Sequence, residues 1–194
     1  MVRIAVIIPV KSFRLAKGRL AGVLDATRRE ALARECAARV VAAAAPHPVY
    51  VVCDDDEVER WARDLGASVV RCDAPGLDVA VAAGRRAAAA AGAEHVVVAH
   101  ADLPLAHRLD HVVRPGVVTL VPDRHRDGTN VLAFPVDSDF ATAYGPGSWA
   151  NHLRAAGIAG LPVETIEDAD LALDVDDAAD LDELVRRREK DTPQ

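Results

Sequence analysis

The residues of this chain that could do chemistry are lysines and aspartates rather than thiols or activated hydroxyls. Lysine occurs only at Lys11, Lys17 and Lys190, and arginine supplies the rest of the positive charge. An ammonium is a compact point charge and a guanidinium a broad planar fork, so two lysines in one short loop of an arginine-using chain point to a specific need there. That loop, Lys11-Ser12-Phe13-Arg14-Leu15-Ala16-Lys17-Gly18-Arg19-Leu20, holds four cations and a glycine directly after an apolar run. Phosphates need positive charge and approachable backbone amides, and Gly18 leaves room for that approach. The GxxxxGKS/T spacing of a Walker loop is absent, and so is GxGxxG. The acidic candidates lie far off. Asp102, in His100-Ala101-Asp102-Leu103-Pro104, follows an apolar run and precedes a strand-stopping proline. In Leu171-Ala172-Leu173-Asp174-Val175-Asp176, alternation puts Asp174 and Asp176 on one face, about 7 Å apart at a strand repeat of about 3.3 Å. Like charges so placed repel unless neutralised, which a hard divalent cation such as magnesium does with oxygen ligands. Helix capping ahead of Ala178 is the competing use, although a cap needs one aspartate and Asp177 can supply it.

Weaker signals surround these. Asp127-Gly128-Thr129-Asn130 and Tyr144-Gly145-Pro146-Gly147-Ser148-Trp149 read as turns. The second sets glycines and Ser148 at a helix start, where free N–H groups and the helix dipole favour an anion. His107 and His111 lack a third ligand nearby and read as surface histidines, while Trp61 and Trp149 read as packing. Neither GxSxG nor HExxH occurs, so a hydrolase triad or a zincin has no support.

The elements that must position these residues follow from hydrophobic patterning. Arg3 to Pro9 is a β-branched apolar run, the pattern of a strand covered on both faces. A loop over 10–25 leads to a helix over Thr27 to Ala45, with Thr27 and Glu30 at capping-box spacing. Strands are expected at Val49–Cys53, Ser68–Arg71, His95–Ala99, Val117–Val121, Asn130–Phe134 and Leu171–Val175. Helices are expected at Glu57–Leu65, Asp78–Ala91, Gly147–Ala156 and Ala178–Arg188, with Gly66 and Gly92 as stops. Strand and helix alternate, which implies a three-layer αβα domain with a mainly parallel sheet and right-handed crossovers. Ligands of such sheets bind beyond the carboxyl ends of the strands, where the loops after the first, second, fourth and last strands converge.

Bulk properties narrow the class. The 194 residues suit one domain, expected over 1–189, with 190–194 as a frayed tail. Apolar residues make up 51% but aromatics only 4%, so alanine, valine and leucine must build the core. A net charge of −7 without a long basic run argues against nucleic acid as a partner. The start, Met1 to Val10, carries Arg3 and Pro9 and runs into Lys11, so it reads as a strand and not a signal peptide. No apolar stretch approaches a membrane span, and a cytoplasmic location is expected. Cys36, Cys53 and Cys72 are odd in number without CxxC spacing and read as buried thiols.

In order along the chain, Ile8-Pro9-Val10-Lys11 with Ala16-Lys17-Gly18-Arg19-Leu20, Ala101-Asp102-Leu103-Pro104, Pro122-Asp123-Arg124, Gly128-Thr129-Asn130, Tyr144-Gly145-Pro146-Gly147-Ser148 and Leu171 to Asp176 resemble the CofC/FbiD family. These are guanylyltransferases that load GMP onto a small phosphorylated acid in coenzyme F-420 biosynthesis. The resemblance spans about residues 3–184. It implies a nucleotidyltransferase fold of the glycosyltransferase-A type, GTP across the first loop, phosphoenolpyruvate or 2-phospho-L-lactate as acceptor, and Mg2+ as cofactor. It further implies that Asp102, Asp174 and Asp176 hold the metal and that Lys11, Lys17 and Arg19 face the nucleotide's phosphates. Asp78 falls on the nucleotide side, where the family often has asparagine, and Thr129, Gly145 and Ser148 on the acceptor. Hand-over of an unstable product to the next enzyme of the pathway is a further expectation.

The residues themselves leave alternatives open. The same scaffold suits transfer to 3-phosphoglycerate, a sugar phosphate or a molybdopterin, and a nucleotide-binding homologue without turnover would share the pattern. An Asp-x-Asp pair also serves haloacid dehalogenase phosphatases as nucleophile and acid, although there it follows the first strand.

Overall fold

The computed structural model describes residues 2–190. The elements run β1 (Ile4–Pro9), α1 (Ala26–Ala43), β2 (Val49–Cys53), α2 (Asp56–Asp64), β3 (Ser68–Arg71), α3 (Leu77–Ala90), β4 (His95–Ala99), β5 (Val118–Pro122), β6 (Thr129–Pro135), α4 (Ser148–Ile158), β7 (Val163–Thr165) and α5 (Ala178–Lys190). The seven strands form one sheet in the order β3-β2-β1-β4-β6-β5-β7. β6 runs antiparallel to both of its neighbours, and the other pairings are parallel.

The β-branched runs form strands because both faces are covered. In β1, Val6 and Ile8 meet Ala37 and Val40 of α1 on one side, while Ala5 and Ile7 face Val81 and Ala88 of α3 on the other. This gives the three layers. The small side chains permit a close helix-on-sheet approach, closest at Gly84 of α3, where an added Cβ would stand 2.6 Å from Ile7 Cγ2 and 3.0 Å from Val52 Cγ2. The chain leaves β1 through α1 to β2 and β3, then returns through α3 to β4 on the other side of β1. The crevice between the carboxyl ends of β1 and β4 is therefore the topological switch point, where open α/β sheets place their ligands.

Several expectations are corrected. Helix α1 is capped by Asp25, whose Oδ1 accepts from Arg28 N at 2.8 Å, two residues earlier than a Thr27–Glu30 box would place it. The loop over 10–25 is not plain coil, since Phe13–Leu15 and Gly18–Gly22 wind into 3-10 turns. Strand β7 was not expected: it is a three-residue edge strand, with Val163 and Glu164 exposed and Thr165 half-buried, and no apolar run marks it. Leu171–Val175 forms no strand. Its alternation survives, with Leu171, Leu173 and Val175 fully buried, but its polar groups bond to scattered partners. Ala172 O accepts from Arg124 N at 2.9 Å, and Val175 N donates to Asp102 O at 3.3 Å. The expected end of the domain at 189 falls inside α5, and the rest of the expected tail, 191–194, lies outside the described residues.

Other readings find their places. Trp61 packs edge-on against Phe13, with ring centroids 5.1 Å apart, and Trp149 lies beneath the Arg126 guanidinium at 5.2 Å. Cys36 and Cys53 are buried and Cys72 half-buried. His107 is exposed, and His111 Nε2 meets Asp168 Oδ2 at 2.9 Å. Among the described residues no helix is long and apolar enough to cross a membrane. Gly84→Ala is expected to cost about 1–3 kcal/mol through overpacking. Thermal denaturation should register this as a melting temperature lower by roughly 2–12 °C for a chain of this size.

Candidate active site

The first loop turns back on itself at Lys17, whose backbone is left-handed (φ 59°, ψ 34°). That turn carries the side chain inward, where only 5% of it is exposed. Its Nζ donates to Asp102 Oδ2 at 3.0 Å and lies 3.6 Å from Asp176 Oδ1, while Arg19 Nη1 reaches Asp176 Oδ2 at 3.7 Å from a solvated position. Burial disfavours the ammonium, but the charge and hydrogen bond of Asp102, and then Asp176, raise Lys17 above the ordinary lysine value. Burial likewise works against ionised Asp102, and the Lys17 charge overcomes it, holding that carboxyl below the usual range.

Three carboxylates converge here from two distant segments. One oxygen from each of Asp102, Asp174 and Asp176 lies within 4.8 Å of the others. Asp102 sits just past β4, and the irregular 171–176 segment, which leaves a turn over 169–172, crosses the carboxyl edge of the sheet to meet it. Asn130, at the start of β6, fixes that crossing: its Nδ2 donates to Leu171 O at 3.0 Å and to Asp174 Oδ1 at 3.3 Å. Asp180 fixes the other end, accepting at Oδ2 from Asp176 N and Asp177 N, while Asp177 caps α5 by accepting from Ala179 N and Asp180 N. Neither Asn130 nor Asp180 stood out as a functional residue in the sequence. An amide among the apolar residues of a buried strand and the Asp177-x-x-Asp180 capping-box spacing were the signals.

Among the described residues no side-chain cation pairs with Asp174. Burial, followed by the charge of Asp102, pushes it up to about 6 against the Asn130 hydrogen bond. Asp102 Oδ1 is buried without a hydrogen-bond partner. An orphaned carboxylate oxygen beside two more carboxylates is an all-oxygen donor set that fits a hard divalent cation.

A cleft of about 540 Å³ runs from this cluster along the carboxyl ends of β1, β2 and β3. Lys11, Lys17, Asp102 and Asp176 line it, whereas Arg19 stays outside on the rim. Asp78 does not line the cleft, and its Oδ1 accepts from Tyr144 N at 3.1 Å. Thr129, Gly145 and Ser148 do not line the cleft; Ser148 N donates to Gly145 O at 3.0 Å, and Asp127 receives Trp149 N at its carbonyl and Gly147 N at Oδ2. Thr129 and Ser148 are buried, and Thr129 Oγ1 shares a 3.0 Å hydrogen bond with His152 Nδ1. Burial lowers His152 to about 4, which keeps the ring neutral near pH 7.

A buried lysine facing three carboxylates beside a switch-point cleft is an arrangement suited to holding phosphates and a divalent cation. The comparisons agree. The chain matches the family model described as "Guanylyl transferase CofC like" over residues 4–192. It is 37% identical over 187 residues to the phosphoenolpyruvate guanylyltransferase of Rubrobacter xylanophilus, covering 92% of this chain and 91% of that one. It is 33% identical to the 3-phospho-D-glycerate guanylyltransferase of Phenylobacterium zucineum, covering 88% and 84%. A Methanothermobacter nucleotidyl transferase shares the fold at a TM-score of 0.68 and 16% identity, covering 98% of this chain and 99% of that one. The chain belongs to the CofC-like guanylyl transferase family, and it is an enzyme of guanylyl transfer.

Asp174 supplies a pH test of the cluster. Its folded-state value, about 6, lies above the ordinary carboxylate value of 3.8, so the ionised group destabilises the fold above pH 6, and this penalty disappears as the pH falls below about 4. In a chelator, Asp174→Asn should melt at a higher temperature than the parent at pH 7.5, and the two should converge near pH 4. An equal or lower melting temperature for the variant at pH 7.5 contradicts the crowding of charge.

Proposed function

We propose that this guanylyltransferase moves GMP from GTP to the phosphate of phosphoenolpyruvate and releases pyrophosphate, in coenzyme F-420 biosynthesis. The observation that carries the reading is the convergence of Asp102, Asp174 and Asp176 on one point beside Lys17. The acceptor follows the name of the Rubrobacter relative. The Phenylobacterium relative favours 3-phosphoglycerate as the second reading.

The residues present suit this chemistry. The acceptor phosphate is already an oxyanion, so it attacks the α-phosphorus without a general base. A phosphoanhydride bond forms, the α–β bond breaks and the electron pair leaves with pyrophosphate. Catalysis then reduces to aligning two mutually repelling anions and offsetting the charge that develops between them. Lys11 and Lys17 bring positive charge to the donor's phosphates from the β1 side of the cleft. Asp102, Asp174 and Asp176 would hold a magnesium ion, which supplies charge neutralisation at the transferring phosphoryl group when bound. Thr129, Gly145 and Ser148 form the acceptor corner of this proposal, with His152 fixing the Thr129 hydroxyl. No covalent enzyme intermediate is needed.

Pyrophosphate release from GTP and Mg2+ tests the reading, with each phospho-acid offered in turn and the next enzyme of the pathway present to capture a labile product. Phosphoenolpyruvate is expected to support the fastest release, and faster release with 3-phosphoglycerate would move the assignment to the second reading. Asp102→Ala and Asp174→Ala should each lower kcat by about 10³-fold or more, with circular dichroism unchanged. Retention of more than a tenth of the metal-dependent turnover in either variant would remove the triad from the mechanism.

A further inference from the structure

The cleft extends well past the carboxylate triad, and its far end bears on which base the enzyme reads, an assignment that rests on the guanylyl-transfer reading above. The cleft follows the carboxyl ends of four parallel strands lying in the order β3, β2, β1, β4. Lys17 and Asp102 mark the phosphate end, just after β1 and β4. Neighbouring strands lie about 4.8 Å apart, so the end of β3 is about 10 Å from that of β1. That is the reach of a nucleotide from its α-phosphate, past the ribose, to the base. At the β3 end the cleft is lined by Asp73, Ala74, Pro75, Gly76 and Leu77. These are small apolar surfaces suited to a flat ring, together with one carboxylate.

Guanine presents two adjacent donors on its Watson–Crick edge, N1–H and the 2-amino group, next to the O6 acceptor. Adenine presents an acceptor at N1. An ionised carboxylate only accepts hydrogen bonds, with about four lone-pair sites on two oxygens, so it takes both guanine donors as a fork and repels the adenine edge. Asp73 is placed and held for this. Arg71 Nε donates to Asp73 Oδ1 at 3.2 Å, while Arg71 Nη1 is anchored by Asp56 at 2.7 Å and Glu59 at 3.0 Å. The Asp73 side chain is 76% exposed, with one oxygen on Arg71 and lone pairs left open to a ligand in the cleft. Helix α3 starts beside it at Gly76 without a side-chain cap, so donors for O6 adjoin the acceptor for N1–H. The other carboxylates are placed differently. Asp78 does not line the cleft, and Asp54 follows β2, one strand nearer the phosphates, at the level of the ribose.

We infer that Asp73 reads the Watson–Crick edge of guanine and is the specificity-determining residue for the donor nucleotide. The test compares GTP, ITP, which lacks the 2-amino group, and ATP in the presence of Mg2+, by kcat/KM and by calorimetric Kd. The parent enzyme should favour GTP over ITP by about 10- to 100-fold. Asp73→Asn should lose that factor on GTP, bring GTP and ITP within about threefold of each other and narrow the gap to ATP, at an unchanged melting temperature. Asp73→Glu, which keeps the carboxylate, should keep the order GTP over ITP. The inference is overturned if Asp73→Asn retains the parental GTP-to-ITP ratio, or if Asp54→Asn collapses that ratio and Asp73→Asn does not. A parent enzyme that turns over CTP or UTP faster than GTP would defeat the underlying guanylyl-transfer reading instead, a result visible before any variant is made.

Discussion

Three carboxylates confined within 4.8 Å of one another and a single buried ammonium set the terms for the rest of this molecule. In water such charges would separate. Here the fold presses them together, and the cost is visible in Asp174, pushed up to about 6. Lys17 offsets Asp102 and part of Asp176, and Arg19 assists from the solvent side. No side-chain cation among the described ion pairs serves Asp174, which has only the Asn130 amide. An arrangement with unspent negative charge, an orphaned Asp102 Oδ1 and an adjoining cleft suits the divalent cation proposed above.

The architecture supplies this convergence through an irregular segment laid over a regular sheet. β1 and β4 are adjacent only because the chain builds outward through β2 and β3 and then returns, and this reversal sets Lys17 opposite Asp102. Asp174 and Asp176 belong to no strand. Their segment is nailed down by buried Leu171, Leu173 and Val175 from beneath, by Asn130 and the Asp102 carbonyl along its length, and by the Asp180 capping box at its end. Because each restraint comes from a different element, the position of the triad depends on the whole of the domain's carboxyl edge.

Much of this was legible in the sequence for physical reasons. Strands covered on both faces read as β-branched runs, so β1, β2 and β4 announce themselves, and the alternation of Leu171 to Asp176 correctly separates buried from facing residues. The same alternation misled about hydrogen bonding: here period-two burial comes from an irregular segment that begins in a turn and has no partner strand. β7 was invisible because a three-residue edge strand carries no burial pattern. The lysine count marked Lys17, but nothing in the sequence showed that it would turn inward while Arg19 stayed in solvent, because that depends on a left-handed turn at residue 17. Asp78 shows the limit of resemblance: it stands where the family often has asparagine, and in the fold it lies outside the cleft with Oδ1 accepting from Tyr144 N.

The turn at Lys17 shows which constraint wins when local and global preferences disagree. A left-handed backbone at a residue with a Cβ costs about 1–2 kcal/mol, and the neighbouring Gly18 would adopt it freely. A simple loop-stability criterion would put glycine at 17. Breaking a buried ion pair by removing one partner costs about 3–5 kcal/mol, because the surviving charge is left uncompensated. With Asp102 held in place by β4 and Asp176 by α5, the ammonium is worth more than the strain, so the loop bends to the carboxylates rather than the reverse. The strained residue, the buried cation and the carboxylate cluster are then one device, in which the sheet edge sets the charge pattern and the first loop conforms to it.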